Sequence, residues 1–240
     1  MKKALTVDLW DTLIYDKPEI DNARRDRRLA EMAAILESSA GFNNPSRMLA
    51  AYETSWGIYE RTWQSGVEII PAEQLKVYLD LIFDGQTPAS LPQTELLQAY
   101  LEPVLVHPPL SMPGAREVLA KLKSKGWKLG IISNTGRTSG LYLRKVLQGH
   151  DVFGLIDAFF FSDEQGLRKP HRDAFTKTLD RLDARPEESF HFGDNWEADV
   201  EGARKAGLTS LWFCRNGQQP LDPTVKKVKT WSALEFLLEI

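Results

Sequence analysis

Ala4-Leu5-Thr6-Val7-Asp8-Leu9-Trp10-Asp11-Thr12-Leu13 is the stretch on which the fold turns: an apolar run of strand length delivers a carboxylate, Asp8, to a turn. Three later stretches repeat the plan. Ile131-Ile132 leads to Ser133-Asn134, Lys169 stands before Pro170, and Phe192-Gly193 leads to Asp194, with Asp199 in the same segment. Each puts a polar group at the end of an apolar stretch. The strands of a doubly wound parallel sheet all end at one edge, and ligands bind in the crevice outside those carboxyl ends. The order therefore predicts an α/β fold whose parallel sheet gathers an aspartate, a hydroxyl, an ammonium and a second acidic pair.

The texture between these stretches divides the chain. From about residue 16 to 108 there is no alternation of strand and helix patterns. Ile20 to Glu37 sets Leu29, Met32, Ala33, Ile35 and Leu36 at helical spacing, and Pro45 to Trp63 continues with Met48, Leu49, Tyr52, Trp56 and Tyr59. Pro71 reads as a first-turn proline ahead of Leu75, Tyr78, Leu79 and Ile82, and a further helix is expected over Gln93 to Leu101. The prolines from Pro103 to Pro113 mark the way back. Beyond them helix and strand alternate: strands are expected at Lys128 to Ser133, Ala158 to Phe161, Ser189 to Gly193 and Ser210 to Phe213, with a last helix over Ser232 to Ile240. Residues 1–15 and 109–240 are thus expected to form the core, with 16–108 an inserted all-α domain.

Composition narrows the function classes. At 240 residues and 42% hydrophobic, the chain can bury a full core. A net charge of -3 supplies no basic stripe, which disfavours nucleic acid and anionic membranes as partners. No apolar run approaches the roughly 20 residues that cross a bilayer. Met1-Lys2-Lys3 leads into a short strand instead of a signal sequence, so a cytoplasmic protein is expected. The lone Cys214 cannot make an internal disulfide; it sits in Leu211-Trp212-Phe213-Cys214 with no nearby histidine and reads as core or strand end.

Taken together, the four motifs resemble those of the haloacid dehalogenase superfamily, whose members are mostly Mg²⁺-dependent phosphatases working through an aspartyl-phosphate. The resemblance runs from Asp8 to Asp199 and is weaker in between. It implies a Rossmann-like core with a C1-type helical cap, the cap being residues 16–108. Asp8 is then the nucleophile, and Thr12 the residue that supports it and the phosphate. Ser133 and Asn134 bind phosphoryl oxygens, and Lys169 neutralises the crowded negative charge. The metal ligands implied are Asp8, the backbone carbonyl of Trp10 and Asp194, with Asp199 supporting the metal's waters or Lys169. On their own these residues have plainer readings: Asp8 as a turn cap, Thr12 as an N-cap, Ser133-Asn134 as a simple turn, Asp199 as a first-turn acid.

Trp10 departs from the pattern. Phosphatases of this superfamily usually carry a second Asp there, the general acid for the leaving oxygen, and an indole cannot do that work. Asp11 stands where glycine or asparagine is common, which fits the tolerance of Asp for left-handed dihedrals. The expectation is a Mg²⁺-dependent hydrolase of small phosphorylated metabolites, slow on alkyl esters. Two alternatives stay open: a 2-haloacid dehalogenase, which needs no leaving-group proton, and a binding module that holds phosphorylated ligands without turning them over.

Specificity should lie within 16–108. Arg24, Arg25, Arg27 and Arg28 form a basic cluster that reads first as a solvated helix face and second as a contact for an anionic substrate. Trp56, Tyr59 and Trp63 read as core packing. His107, His150, His171 and His191 have no metal-ligand spacing, and no catalytic role is expected of them.

Overall fold

In the computed structural model, which describes residues 3–215 and 217–239, the run Ala4–Val7 is strand β1, with all four residues buried. Met1 and Lys2, the expected lead into it, lie outside the described residues, as does Ile240. The chain then makes β2 (Ile14–Tyr15) and five helices: α1 (Pro18–Ala40), α2 (Pro45–Gln64), α3 (Pro71–Ile82), α4 (Gln93–Leu101) and α5 (Pro103–Val106). Proline occupies the first turn of α1, α2, α3 and α5, where its missing N–H costs nothing and its fixed φ suits the helix. The return strand β3 (Leu110–Ser111) pairs antiparallel with β2, Ile14 opposite Ser111 and Tyr15 opposite Leu110.

From there the chain alternates. Helix α6 (Ala115–Ser124) precedes β4 (Lys128–Ser133), α7 (Gly140–Gly149) precedes β5 (Ala158–Phe161), and the short α8 (Ser162–Gln165) and longer α9 (Arg172–Leu182) precede β6 (Ser189–Gly193). A widened π-type turn, Trp196–Glu201, runs into α10 (Gly202–Lys205), followed by β7 (Thr209–Phe213), β8 (Lys226–Val228) and α11 (Trp231–Leu237). The main sheet has six strands in the order β5-β4-β1-β6-β7-β8, all paired in parallel. This is the expected α/β architecture. Two pieces had no apolar run to announce them: the β2–β3 ribbon, and β8, whose Lys226 and Lys227 leave only Val228 buried, a composition suited to a sheet edge.

Successive side chains on a strand point to opposite faces, so each interior strand feeds two layers. Ile131 joins Leu5, Val7, Leu143 and Trp231 on one face, and Ile132 joins Phe160, Phe175 and Leu179 on the other. The first layer does not stop at the sheet. It continues through Met32, Leu36, Tyr78 and Tyr100, so the helical block shares one apolar cluster with the strands. Each such side chain fully buried stabilises by about 1.5–3 kcal/mol relative to exposure. Among the described residues, no helix is long and apolar enough to cross a membrane.

Candidate active site

Three parallel strands end side by side. β1 delivers Asp8, whose N–H donates to Phe192 O at 2.9 Å, β4 delivers Ser133, and β6 delivers Asp194. Lys169, 3% exposed, enters from the segment before α9 and donates from Nζ to Asp8 Oδ1 and Asp199 Oδ1, both at 2.5 Å. Asp8, Asp194 and Asp199 each offer an oxygen within 4.8 Å of the others.

Asp199 is fixed by its neighbours. Its Oδ1 also faces His191 Nε2 at 3.1 Å, and its Oδ2 accepts from the Asn195 N–H at 2.9 Å. The carboxylate lies so close over Gly193 that a Cβ there would stand 2.3 Å from Asp199 Cγ; only glycine fits. His191 is fully buried, with Nδ1 2.9 Å from Thr6 Oγ1. Burial holds its pKa below the ordinary imidazole value; a carboxylate can only accept, which puts the proton on Nε2 facing Asp199, while the single hydroxyl hydrogen of Thr6 lies within reach of both Nδ1 and the Phe190 carbonyl at 3.1 Å. Sequence reading gave His191 no role. Its signal lay in the strand period: it stands two residues before Gly193, on the face over which Asp199 packs.

The electrostatics are those of a pocket short of positive charge. Three carboxylates face one ammonium. Burial, opposed by the pull of Lys169 and helped by the charge of Asp199, raises Asp8 to about 7. Burial and the charges of Asp8 and Asp199 raise Asp194 to about 8. Burial acts the same way on Asp199, but Lys169 and His191 outweigh it and hold that carboxyl well below the usual range. Burial opposes the Lys169 charge, yet Asp199 and Asp8 raise its pKa. An all-oxygen donor set with excess negative charge is what a hard divalent cation binds. Asp8 and Asp194 each bring an oxygen within 4.8 Å of the other, near enough to share one ion. The residues fit the ion.

The other sequence candidates fall around this cluster. Ser133 Oγ is buried and has no hydrogen-bond partner among the described residues. Thr12, fully buried, donates weakly from Oγ1 to Asp194 Oδ1 at 3.4 Å, and Trp231 Nε1 donates to its carbonyl at 2.9 Å. The Asn134 side chain spans the Lys169 backbone, accepting its N–H at 2.8 Å and donating to its carbonyl at 3.0 Å. That amide steadies Lys169. Asp11 has φ 57, the left-handed conformation anticipated for it, and its carboxylate sits 3.7 Å from Arg215.

Beside the cluster opens a crevice of about 620 Å³, lined by Trp10, by α1 and α2, and by the loop leaving β4. Two expectations need correction here. The arginine cluster is not uniformly a solvated face: Arg24 and Arg28, one helical turn apart, are 4% and 2% exposed and line the crevice, because α1 turns them inward with Met32 and Leu36. Nor are the α2 aromatics all core. Tyr59 is buried, but Trp56 and Trp63 line the crevice. Arg137 and Arg168, to which sequence reading gave no binding role, line it too.

A family model described as haloacid dehalogenase-like hydrolase matches residues 2–207. Glyceraldehyde 3-phosphate phosphatase from Pyrococcus furiosus is 32% identical over 136 residues, 54% of this chain and 53% of that protein. The protein of that name from Methanopyrus kandleri is 26% identical over 237 residues, 93% of this chain and 88% of its own length. The chain spans about half the length of the first curated relatives it matches. A 2-haloacid dehalogenase from Pseudomonas syringae superposes with a TM-score of 0.73 at 21% identity, covering 100% of this chain and 99% of its own, a likeness of fold.

Proposed function

The chain belongs to the haloacid dehalogenase-like hydrolases, and from that premise we propose that it hydrolyses small phosphorylated metabolites through a phosphoryl group carried on Asp8. The observation that carries the reading is Ser133. A buried hydroxyl without a partner, at the same sheet edge as Asp8, is a place prepared for a ligand oxygen. The glyceraldehyde 3-phosphate phosphatases among the relatives agree in reaction class.

Asp8 attacks phosphorus as its P–O ester bond breaks, and the leaving oxygen departs as the alkoxide or phenoxide, taking its proton from solvent water. Water then attacks the aspartyl-phosphate, releasing inorganic phosphate and restoring the carboxylate. Lys169 holds the attacking carboxylate in place and offsets charge on the phosphoryl oxygens, while Ser133 donates to one of them. Asp8, Asp194 and the Trp10 carbonyl are the groups that would hold Mg²⁺, which when bound would supply Lewis acidity at the phosphoryl group. Asp199, its oxygens already taken by Lys169, His191 and Asn195, acts by positioning Lys169. Residues 16–108 serve as the cap, with α1 and α2 walling the crevice against water.

Phosphate release from para-nitrophenyl phosphate tests this. Activity is expected with Mg²⁺, is lost in EDTA, and falls about 10³-fold or more in Asp8→Asn. Trp10 in the crevice favours a second reading, a phosphate-ligand binder that does not turn over. It prevails if no phosphate is released while a phosphorylated ligand still raises Tm. Halide release from 2-chloropropionate that persists in EDTA would transfer the chain to the dehalogenases.

A further inference from the structure

We propose that the crevice carries a subsite for a second anionic group, built on the guanidiniums of Arg137 and Arg28, so that preferred esters bear a carboxylate or another phosphate away from the scissile bond. This rests on the phosphatase reading and names the substrate class within it.

Five arginines line the crevice, and three have carboxylate partners. Arg24 pairs with Asp16 at 2.7 Å, Arg25 with Asp26 at 2.8 Å, and Arg168 with Glu68 at 3.2 Å. Arg137 and Arg28 have none among the described residues. Arg137 donates to Tyr52 O at 2.7 Å and Ser55 Oγ at 3.1 Å, its guanidinium lies 3.7 Å from the Tyr52 ring centroid, and its buried Nε has no acceptor. Arg28, 2% exposed, donates to Tyr100 O at 2.6 Å and to Tyr52 Oη at 2.7 Å. Aromatic faces and carbonyls orient these cations without neutralising them.

A buried cation such as Arg28 ordinarily has an anionic partner, and an orphaned buried N–H such as the Nε of half-buried Arg137 is unfavourable. The acids on the same walls do not supply one: Asp16 is held by Arg24, Asp21 lies 4.0 Å from Arg24, and the exposed Glu53 pairs with neither cation. An anion brought by the ligand completes the set, and the guanidinium fork suits carboxylate or phosphate equally. The placement is apt. Arg137 follows Asn134 on the loop leaving β4, and Asn134 grips Lys169, so one loop serves both ends of the substrate.

The experiment compares matched esters on the Mg²⁺-loaded protein. 3-Phosphoglycerate is set against glycerol 3-phosphate, and fructose 1,6-bisphosphate against fructose 6-phosphate, with para-nitrophenyl phosphate reporting phosphatase activity itself. The expected result is a kcat/KM preference of about tenfold or more for the doubly anionic member of at least one pair. The first pair reports a carboxylate reader and the second a phosphate reader. Arg137→Met should bring the ratio to about one, and Arg137→Lys, which keeps the charge and loses the fork, should leave it in between. Should Arg137→Met fail to fold, Arg137→Lys alone decides by a reduced or an unchanged ratio. No preference in either pair, or a preference unmoved by the substitution, overturns the subsite. If para-nitrophenyl phosphate is not hydrolysed, the phosphatase reading falls separately. The subsite is then judged by Tm: a larger rise with 3-phosphoglycerate or fructose 1,6-bisphosphate than with its partner, erased in Arg137→Met, supports it, and equal rises overturn it.

Discussion

On the proposed mechanism, Trp10 decides which esters the site opens. With no acid to protonate the leaving oxygen, alkyl phosphates should turn over slowly and aryl phosphates, whose leaving groups hardly need a proton, faster. Trp10→Asp is expected to raise kcat on glycerol 3-phosphate by about 10² to 10⁴, with a smaller change on para-nitrophenyl phosphate; an unchanged ratio between the two would show that the indole is not what limits the reaction. His191 acts one layer further out. His191→Phe removes the donor that helps fix Asp199, and kcat should fall about 10- to 100-fold with KM nearly constant, the pattern of a disturbed support. Asp8 and Asp194 were legible because each ends an apolar run, and Lys169 before Pro170 and Asp199 after Asp194 because they follow in a set order. Arg28 was read only as one of four clustered arginines, with contact to an anion as the second reading, and Arg137 and His191 were given no role: their significance lies in which partners they lack or share, and that depends on contacts between segments distant in the chain.

At the level of elements, β6 and the turn after it form one unit. Gly193 ends the strand, Asn195 caps the following turn by accepting the Ala198 N–H at 2.8 Å, and Asp199 returns over the glycine. Gly193→Ala drives a methyl into that carboxylate, and overpacking of this kind costs about 1–3 kcal/mol. A lowered Tm together with lost activity is expected, whereas a Tm within a degree of the parent would mean that Asp199 moves aside freely. Strand periods and first-turn prolines made most elements readable. The β2–β3 ribbon was hidden because two-residue strands have no period, and β8 because an edge strand of lysines carries no apolar signature.

For the whole molecule, the sequence texture marks 16–108 as separate, yet its apolar residues merge with those of the sheet in one cluster. Cooperative unfolding follows from a shared interior. Calorimetry should show a single transition, and two resolved transitions would show that the helical block holds itself together. The strand order has a consequence for how the chain is made. β1 is an interior strand between β4 and β6, but it precedes both. On the ribosome it waits unpaired until Lys128–Ser133 emerges, and its other edge stays open until Ser189–Gly193 follows, roughly 10–40 s after β1 at ~5–20 residues per second. The strand that carries Asp8 is therefore exposed longest in the nascent chain, and the stage of greatest vulnerability to aggregation comes before translation ends.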